Sequence, residues 1–286
     1  MQASGPNLTY LIARCTRWLQ ARFPQRPVKG LTRFSSWLNR WLLPYAGVFQ
    51  LEGGVKMYVD SRAGNERWIL YSGNYQPAVT HILKQHIPPG SYCLDIGANL
   101  GFYTISMAHW VGPQGHVTAF EANPAMVKRI AQNVALNRYQ TVNIVGAAVN
   151  NEPGNVEFFI SENPGKSSLR QIRSAVSKIV VPGITIDEYV SGHPFARLDV
   201  IKLDVEGNDC QALLGGSQTL ARFRPFVLFE YKHTTTSEIA QAAFALLANL
   251  DYQLWSLSPT GNRQPIDPPG PLLVDADIVC VSRGAP

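Results

Sequence analysis

From Cys93 onward, short apolar runs alternate with helix-length segments. The pattern predicts strands near 92–96, 116–121, 142–147, 198–204, 225–231, 251–257 and 277–283, and helices near 101–111, 124–137, 207–222 and 235–249. That alternation is the signature of βαβ units around a largely parallel sheet covered on both faces. Residues 155–160 and 176–186 read as an inserted pair of strands, and residues 47–60 alternate apolar and polar around Gly53-Gly54, a hairpin signal. Ahead of the hairpin, residues 8–20 place Leu8, Leu11, Ile12, Cys15 and Leu19 on one helical face. Residues 31–42 repeat the theme with Leu31, Phe34, Leu38, Trp41 and Leu42. Pro24, Pro27 and Gly30 separate the two segments. The chain therefore divides into basic amphipathic helices at 1–44, a hairpin with a segment leading into the sheet at 45–90, and an α/β domain at 91–286.

Charge changes this picture in one respect. Seven cations (Arg14, Arg17, Arg22, Arg26, Lys29, Arg33 and Arg40) precede the first acidic residue, Glu52. Of the 25 Lys and Arg, 18 therefore remain against all 20 acids, so the basic excess belongs to the leader and the body is near neutral. Nucleic acid is not an expected partner, because the body has no surplus of cations to hold phosphates. Basic helices flanked by Trp suit an anionic membrane surface, and they equally suit packing on the main domain or a second subunit. No run approaches the roughly 18–20 apolar residues of a membrane span, and no apolar core with a small-residue cleavage site marks a secretory signal. Cys15, Cys93, Cys210 and Cys280 are far apart with no metal-ligand spacing, which fits reduced, mostly buried thiols in a cytoplasmic protein.

The most informative stretch is Tyr92-Cys-Leu-Asp-Ile-Gly-Ala-Asn-Leu-Gly-Phe-Tyr-Thr104. An apolar strand runs into Asp95, then a turn with Gly97, Asn99 and Gly101, then a helix. Ligands of open α/β sheets bind beyond the carboxyl ends of strands, and glycine lets the backbone approach a ligand closely. The next strand ends in Glu121, twenty residues after Gly101, where a carboxylate can accept both hydroxyls of a ribose. A pyrophosphate-binding turn reads GxGxxG. Here the order is DxGxNxG, which suits S-adenosylmethionine, a cofactor with no phosphate and with cationic groups that favour carboxylates.

The chain resembles the FkbM-type family of class I S-adenosylmethionine-dependent methyltransferases. The likeness rests on Leu94-Asp-Ile-Gly-Ala-Asn-Leu-Gly-Phe-Tyr-Thr104, Ala119-Phe-Glu-Ala-Asn-Pro124, Gly146-Ala-Ala148 and Ser167-Ser-Leu169. It continues through Thr185-Ile-Asp-Glu-Tyr189, Ile201-Lys-Leu-Asp-Val-Glu-Gly207 and Phe229-Glu230, and covers roughly residues 68–257. Gly73-Asn-Tyr-Gln-Pro77 departs from it, with Gln76 where an acid is common. The resemblance implies a Rossmann-like, seven-stranded, mostly parallel sheet with its last strand antiparallel. It further implies methyl transfer to a hydroxyl of a sugar, glycan or natural product. By position it implies Asp95, Gly97, Ala98, Asn99, Gly101 and Thr104 at the methionine end of the cofactor. Glu121 would hold the ribose, Ala122 and Asn123 would lie beside the adenosine, and Ala147 near the adenine.

In that architecture the carboxyl end of Ile201–Gly207 faces the transferable methyl. Methyl transfer needs donor and acceptor aligned at about 3 Å, and a hydroxyl needs a base for its proton. Asp204 is the first candidate, Glu206 a second carboxylate at the same rim, and Lys202 a partner to either or a stabiliser of an alkoxide. The two carboxylates could instead hold a divalent cation, or Glu206 could cap the following helix. Glu230 and His233, at the end of the next strand, are further candidates for acceptor contact or an alternative base. Trp68, Tyr71 and Tyr75 could wall a sugar ring or simply pack. An NAD(P)-dependent reductase lacks support because GxGxxG and a Tyr-x-x-x-Lys pair are missing. A non-catalytic scaffold on the same fold would not need Asp95, Gly97, Gly101, Glu121 and Asp204 intact.

Overall fold

A computed structural model describes residues 8–283 apart from 21, 23–29, 31–32, 35–36, 39–40, 162–166, 170–174 and 268. Its centre is a sheet of eight strands. In chain order these are β3 (Tyr92–Ile96), β4 (His116–Phe120), β5 (Val142–Val145), β9 (Val200–Leu203), β10 (Phe226–Tyr231), β11 (Tyr252–Leu257), β12 (Arg263–Pro265) and β13 (Ala276–Ser282). They lie side by side as β12-β11-β13-β10-β9-β3-β4-β5. The five from β10 to β5 are parallel, β13 runs antiparallel to both β10 and β11, and β12 adds a short antiparallel edge. The seven expected strands are present, with β13 as the reversed last strand. The eighth, β12, lies in a stretch where only three residues pair.

The parallel strands are mostly apolar because both faces are covered, with Asp95 and Lys202 as buried exceptions. Cys93, Val117, Val200, Phe226, Leu228 and Val279 join one core. On that side lie the hairpin β1 (Ala46–Gln50) and β2 (Lys56–Asp60), and the helices α1 (Leu8–Gln20), α2 (Gly64–Ser72), α3 (Pro77–His86) and α4 (Phe102–Val111). The alternating positions Leu94, Ile201, Val227, Phe229, Ile278 and Cys280 join the other. That core is closed by α6 (Ile186–Ser191), α7 (Asp209–Leu214), α8 (Ser217–Phe223) and α9 (Ser237–Asn249). Between β4 and β5 lies α5 (Pro124–Asn137). A second, three-stranded sheet pairs β6 (Ala148–Val149) with β8 (Ala175–Ile184) and β8 with β7 (Gly154–Ser161). The two longer strands are the inserted pair expected from the sequence.

Three segments differ from expectation. The stretch leading into the sheet forms two helices, α2 and α3, the second opening on Pro77 where a missing N–H costs nothing. The helix expected over 207–222 is two, α7 and α8, broken at Gly215-Gly216. A Cβ on Gly215 would meet Asn150 O at 2.2 Å, so glycine admits the neighbouring loop at the cost of helix continuity. Residue 186, read as strand, begins α6. Thr185 caps that helix by accepting from Glu188 N at 3.0 Å, while Asp187 accepts from Gln218 N and Thr219 N and caps α8. Of the leader, α1 forms as expected. The second leader segment falls partly outside the described residues, and positions 33–34, 37–38 and 41 within it are helical. Cys93, Cys210 and Cys280 are buried and Cys15 is exposed, all four as free thiols.

The hairpin is held where the site needs it. Asn133 and Asn137, one turn apart on α5, accept from Tyr58 N and Lys56 N along the open edge of β2, at 2.8 and 2.7 Å. Asn133 also donates to Leu100 O at 2.8 Å, so one buried amide ties the hairpin to the glycine turn.

Candidate active site

The chain runs outward from β3 through β4 to β5, then returns to the other side of β3 as β9. A cleft of about 880 Å³, its open mouth included, lies beyond the carboxyl ends of these strands, where ligands of such sheets bind. Gly97, Ala98 and Asn99 line it from the turn after β3, Glu121 and Ala122 from the end of β4, and Ala147 from beyond β5. Lys202, Asp204 and Glu206 line it from the end of β9.

Gly97 (φ +78°) is forced by the crossing of two loops. A Cβ there would stand 2.0 Å from Asp204 O, so the turn after β3 and the end of β9 touch backbone to backbone. Gly97 N and Ala98 N both donate to Phe120 O at 3.0 Å, which ties the same turn to β4. Asn99 takes φ +52°, a left-handed conformation that Asn enters more readily than most residues, and its buried Oδ1 has no hydrogen-bond partner.

Glu121 is almost entirely buried, and burial raises its pKa against the opposing pull of two N–H donors. Its Oε2 accepts from Asn99 N at 2.8 Å and its Oε1 from Asn123 N at 2.7 Å. Each oxygen keeps a second lone pair, so the carboxylate is oriented by backbone and still able to accept two hydroxyls. Asn123 does not line the cleft. It holds Glu121 through its N–H and caps α5 by accepting from Ala125 N at 3.0 Å.

Three other expected contacts sit behind the wall. Asp95 is fully buried and accepts from Thr104 Oγ1 at 2.6 Å. Its Oδ1 lies 3.5 Å from Lys202 Nζ and makes no hydrogen bond. Thr104 is itself buried. Gly101 (φ +86°) opens α4, and its missing Cβ leaves room for Ile130 of α5 at 3.4 Å.

The wall at the end of β9 is ionic. Lys202, 2% exposed, lies between Asp95 and Asp204 (3.7 Å to Oδ2) and beneath the ring of Tyr103, 4.9 Å from its centroid. Burial alone would lower its pKa, but Asp204, Asp95 and Asp209 outweigh burial and raise it. Tyr103 donates to Gln76 Oε1 at 2.9 Å, so the residue that departs from the family pattern serves here as a neutral acceptor. Asp204 is 22% exposed at the rim. Glu206 takes φ +52°, and its carbonyl accepts from Ser168 Oγ at 3.2 Å. Asp209, a residue sequence reasoning passed over, braces that loop by accepting from Val205 N and Gly207 N, and burial drives its pKa far up.

Glu230 and His233 do not line the cleft. Glu230 pairs with Lys232 at 2.6 Å and stands directly across from Asp277 on β13. Burial and the neighbouring carboxylates raise Glu230 and push Asp277 up to about 7. His233 is half-exposed and paired with Asp275 at 2.6 Å. Of the three aromatics considered, Tyr75 lines the cleft and meets Phe102 and Tyr103 edge-on, while Trp68 and Tyr71 do not line it. Asn65 and Ile69 of α2, Phe158 of β7, and Ser167 and Leu169 complete the lining. The α2 helix is held over the site by the Glu66–Arg129 ion pair to α5. Among the described residues no three His, Cys, Asp or Glu side chains converge as a metal site.

This donor set fits an adenosyl ligand with a cationic amino-acid end. Asn99 Oδ1 is a buried acceptor without a donor, and such groups are rare without a ligand or water. Ala122, Ala147, Ala148, Val149 and Phe158 make an apolar slot beside Glu121.

Residues 95–254, more than half of the chain, match the Methyltransferase FkbM domain family. The 2-O-methyltransferase NoeI of Sinorhizobium fredii (strain NBRC 101917 / NGR234) is 26% identical over 180 residues, which cover 57% of this chain and 71% of that protein. Among solved structures, methyltransferase FkbM from Methylobacillus flagellatus KT aligns with a TM-score of 0.44 at 12% identity over 75% of this chain. The match spans 52% of that structure. Aeropyrum pernix fibrillarin, with natively bound S-adenosyl-L-methionine, aligns with a TM-score of 0.43 at 12% identity over 82% of each chain.

Proposed function

Because the chain belongs to the FkbM methyltransferase family, we propose that it methylates a hydroxyl oxygen of a sugar, glycan or related natural-product acceptor, with S-adenosylmethionine as donor. One observation carries the reading. Glu121, oriented by Asn99 N and Asn123 N, shares a cleft with an orphaned amide oxygen at Asn99 and with the rim carboxylate Asp204. The likeness to a 2-O-methyltransferase supports oxygen as the accepting atom.

When bound, the cofactor supplies an electrophilic methyl on a positively charged sulfur. Glu121 would accept the ribose hydroxyls, Asn99 Oδ1 would accept from the ammonium, and the alanine and Phe158 slot would take the base. Asp204 receives the acceptor's hydroxyl proton at a carboxylate oxygen. Lys202 holds that carboxylate from below and keeps the paired Asp95 from being an isolated buried charge. Tyr75 and α2 cover the acceptor side and limit water at the reacting centre.

Calorimetric titration with S-adenosylmethionine, and with NADH alongside, tests the cofactor. Wild type should bind S-adenosylmethionine and not NADH. Glu121→Ala should weaken binding about a hundredfold, the loss of two hydrogen bonds to a charged group. Wild-type protein that binds only NADH overturns the reading. With binding secured, Asp204→Asn should lower methyl transfer to a hydroxylated acceptor by about 10²–10⁴ in kcat, and an unchanged kcat removes Asp204 as the base.

A further inference from the structure

We propose that the outward face of the leader is a docking surface for an anionic lipid bilayer. This goes beyond methyl transfer and does not depend on it. It rests on which side of α1 meets the protein. The buried residues of α1 are Thr9, Ala13 and Gln20, small or polar, and the helix is fastened to the body by polar contacts. Thr16 Oγ1 donates to Tyr71 O at 2.7 Å and Arg17 to Leu70 O at 2.8 Å, both at the end of α2. Thr9 Oγ1 donates to Leu43 O at 2.7 Å. Ala13 is buried in the core and Tyr10 and Ile12 pack partly against it, but Leu8 58%, Leu11 49%, Trp18 62% and Leu19 40% are exposed. An ordinary surface helix turns its apolar stripe inward; this one leaves four large apolar side chains outside.

Exposed apolar side chains continue along the leader, on a segment that itself reaches the core only through Leu38 and Leu42 among its described residues. Phe34, Trp37, Trp41 and Leu43 are also exposed, so eight of the twelve large hydrophobic side chains exposed among the described residues lie between positions 8 and 43. Arginine is interleaved with them. Arg14 on α1 and Arg22 just beyond it are exposed, and Arg22 stacks on Trp18 at 3.9 Å. Arg17 is spent internally, over Tyr10 and Phe49. No acidic residue occurs before Glu52.

Charge selects the occupant. Two copies of this face would oppose arginine to arginine, whereas an anionic bilayer supplies negative charge to the arginines and an apolar interior to Leu11 and Trp18. No helix among the described residues is long and apolar enough to cross a membrane, so the contact would be interfacial.

The test is flotation of the full-length chain with vesicles of phosphatidylcholine alone or mixed with phosphatidylglycerol, with tryptophan emission as a second readout. The chain should float only with the anionic vesicles, with a blue shift, and should be released by salt. Arg14→Gln and Arg22→Gln should each weaken partitioning about fivefold. Leu11→Ser with Trp18→Ser should abolish flotation, while the thermal midpoint stays near the wild-type value because neither side chain belongs to the buried core. Equal partitioning into both vesicle types, or into neither, overturns the proposal. So does vesicle-free self-association, seen by sedimentation velocity and lost in the same variants, which would make the face an interface between copies.

Discussion

Where β3 and β4 end, the cleft wall is backbone, small side chains and one oriented carboxylate. Where β9 ends, it is a set of charged side chains paired below the surface, and Glu230 at the end of β10 extends that set beyond the lining. The first wall offers hydrogen-bond groups already aimed, at Glu121 and Asn99. The second stores charge, with Lys202 between Asp95 and Asp204, and Glu230 across from Asp277. A cofactor common to a family is served by the first kind of wall, whose geometry is set by main chain and tolerates little change. The second kind is built from side chains, which substitution can exchange without moving the main chain.

The difference predicts unequal responses to substitution. The harshest is Gly97→Ala. Its Cβ would collide with Asp204 O, a backbone atom that cannot swing aside, and the residue would sit at φ +78°. Loss of stability of more than about 3 kcal/mol is expected, with loss of cofactor binding in whatever folds. Urea unfolding and calorimetry check both. A variant that binds normally would mean that the two walls do not meet as tightly as this.

Lys202→Met comes next. It keeps the bulk beneath Tyr103 and removes the cation, leaving Asp95 and Asp204 to face each other. Breaking a buried pair costs about 3–5 kcal/mol. The deficit relative to wild type should shrink as pH falls, because protonation removes the unpaired charge. Unfolding midpoints across pH distinguish this from lost packing, which would give a deficit independent of pH.

How far this division was readable in the chain depends on what each residue binds. Gly97, Glu121 and Asp204 were legible because strand ends, glycine turns and their spacing are local patterns. Asn123 and Thr104 lay in the same motifs but spend their polar groups inside the protein, on Glu121 and α5 and on Asp95, which spacing does not reveal. Asp209 was missed because its partners are the N–H groups of Val205 and Gly207, identical in every sequence. The α2 helix was missed because Ile69, Leu70 and Tyr71 are buried consecutively, which leaves no amphipathic stripe. The start of α3 did carry a signal in Pro77. Thr185-x-x-Glu188 was likewise a capping pattern that marked the start of α6.

The smallest effect expected falls at the far edge of the ionic wall. Asp277 is buried, and Asp204 and its cross-strand partner Glu230 add like charge to the cost of that burial. Asp277 keeps its proton up to about 7 in the folded chain, against 3.8 for an unperturbed group. Between these values the folded state binds more protons than the unfolded one, so this carboxyl lowers stability as pH rises from about 4 to about 7. Asp277→Asn removes that loss. Near pH 4 the variant should match wild type, and at pH 8 it should be more stable by at most about 4 kcal/mol, the full value of a three-unit shift. A wild-type midpoint that rises through that range, with the variant tracking it, would mean that Lys232 and Lys202 already neutralise the pair. The ionic wall would then be as settled as the backbone wall facing it.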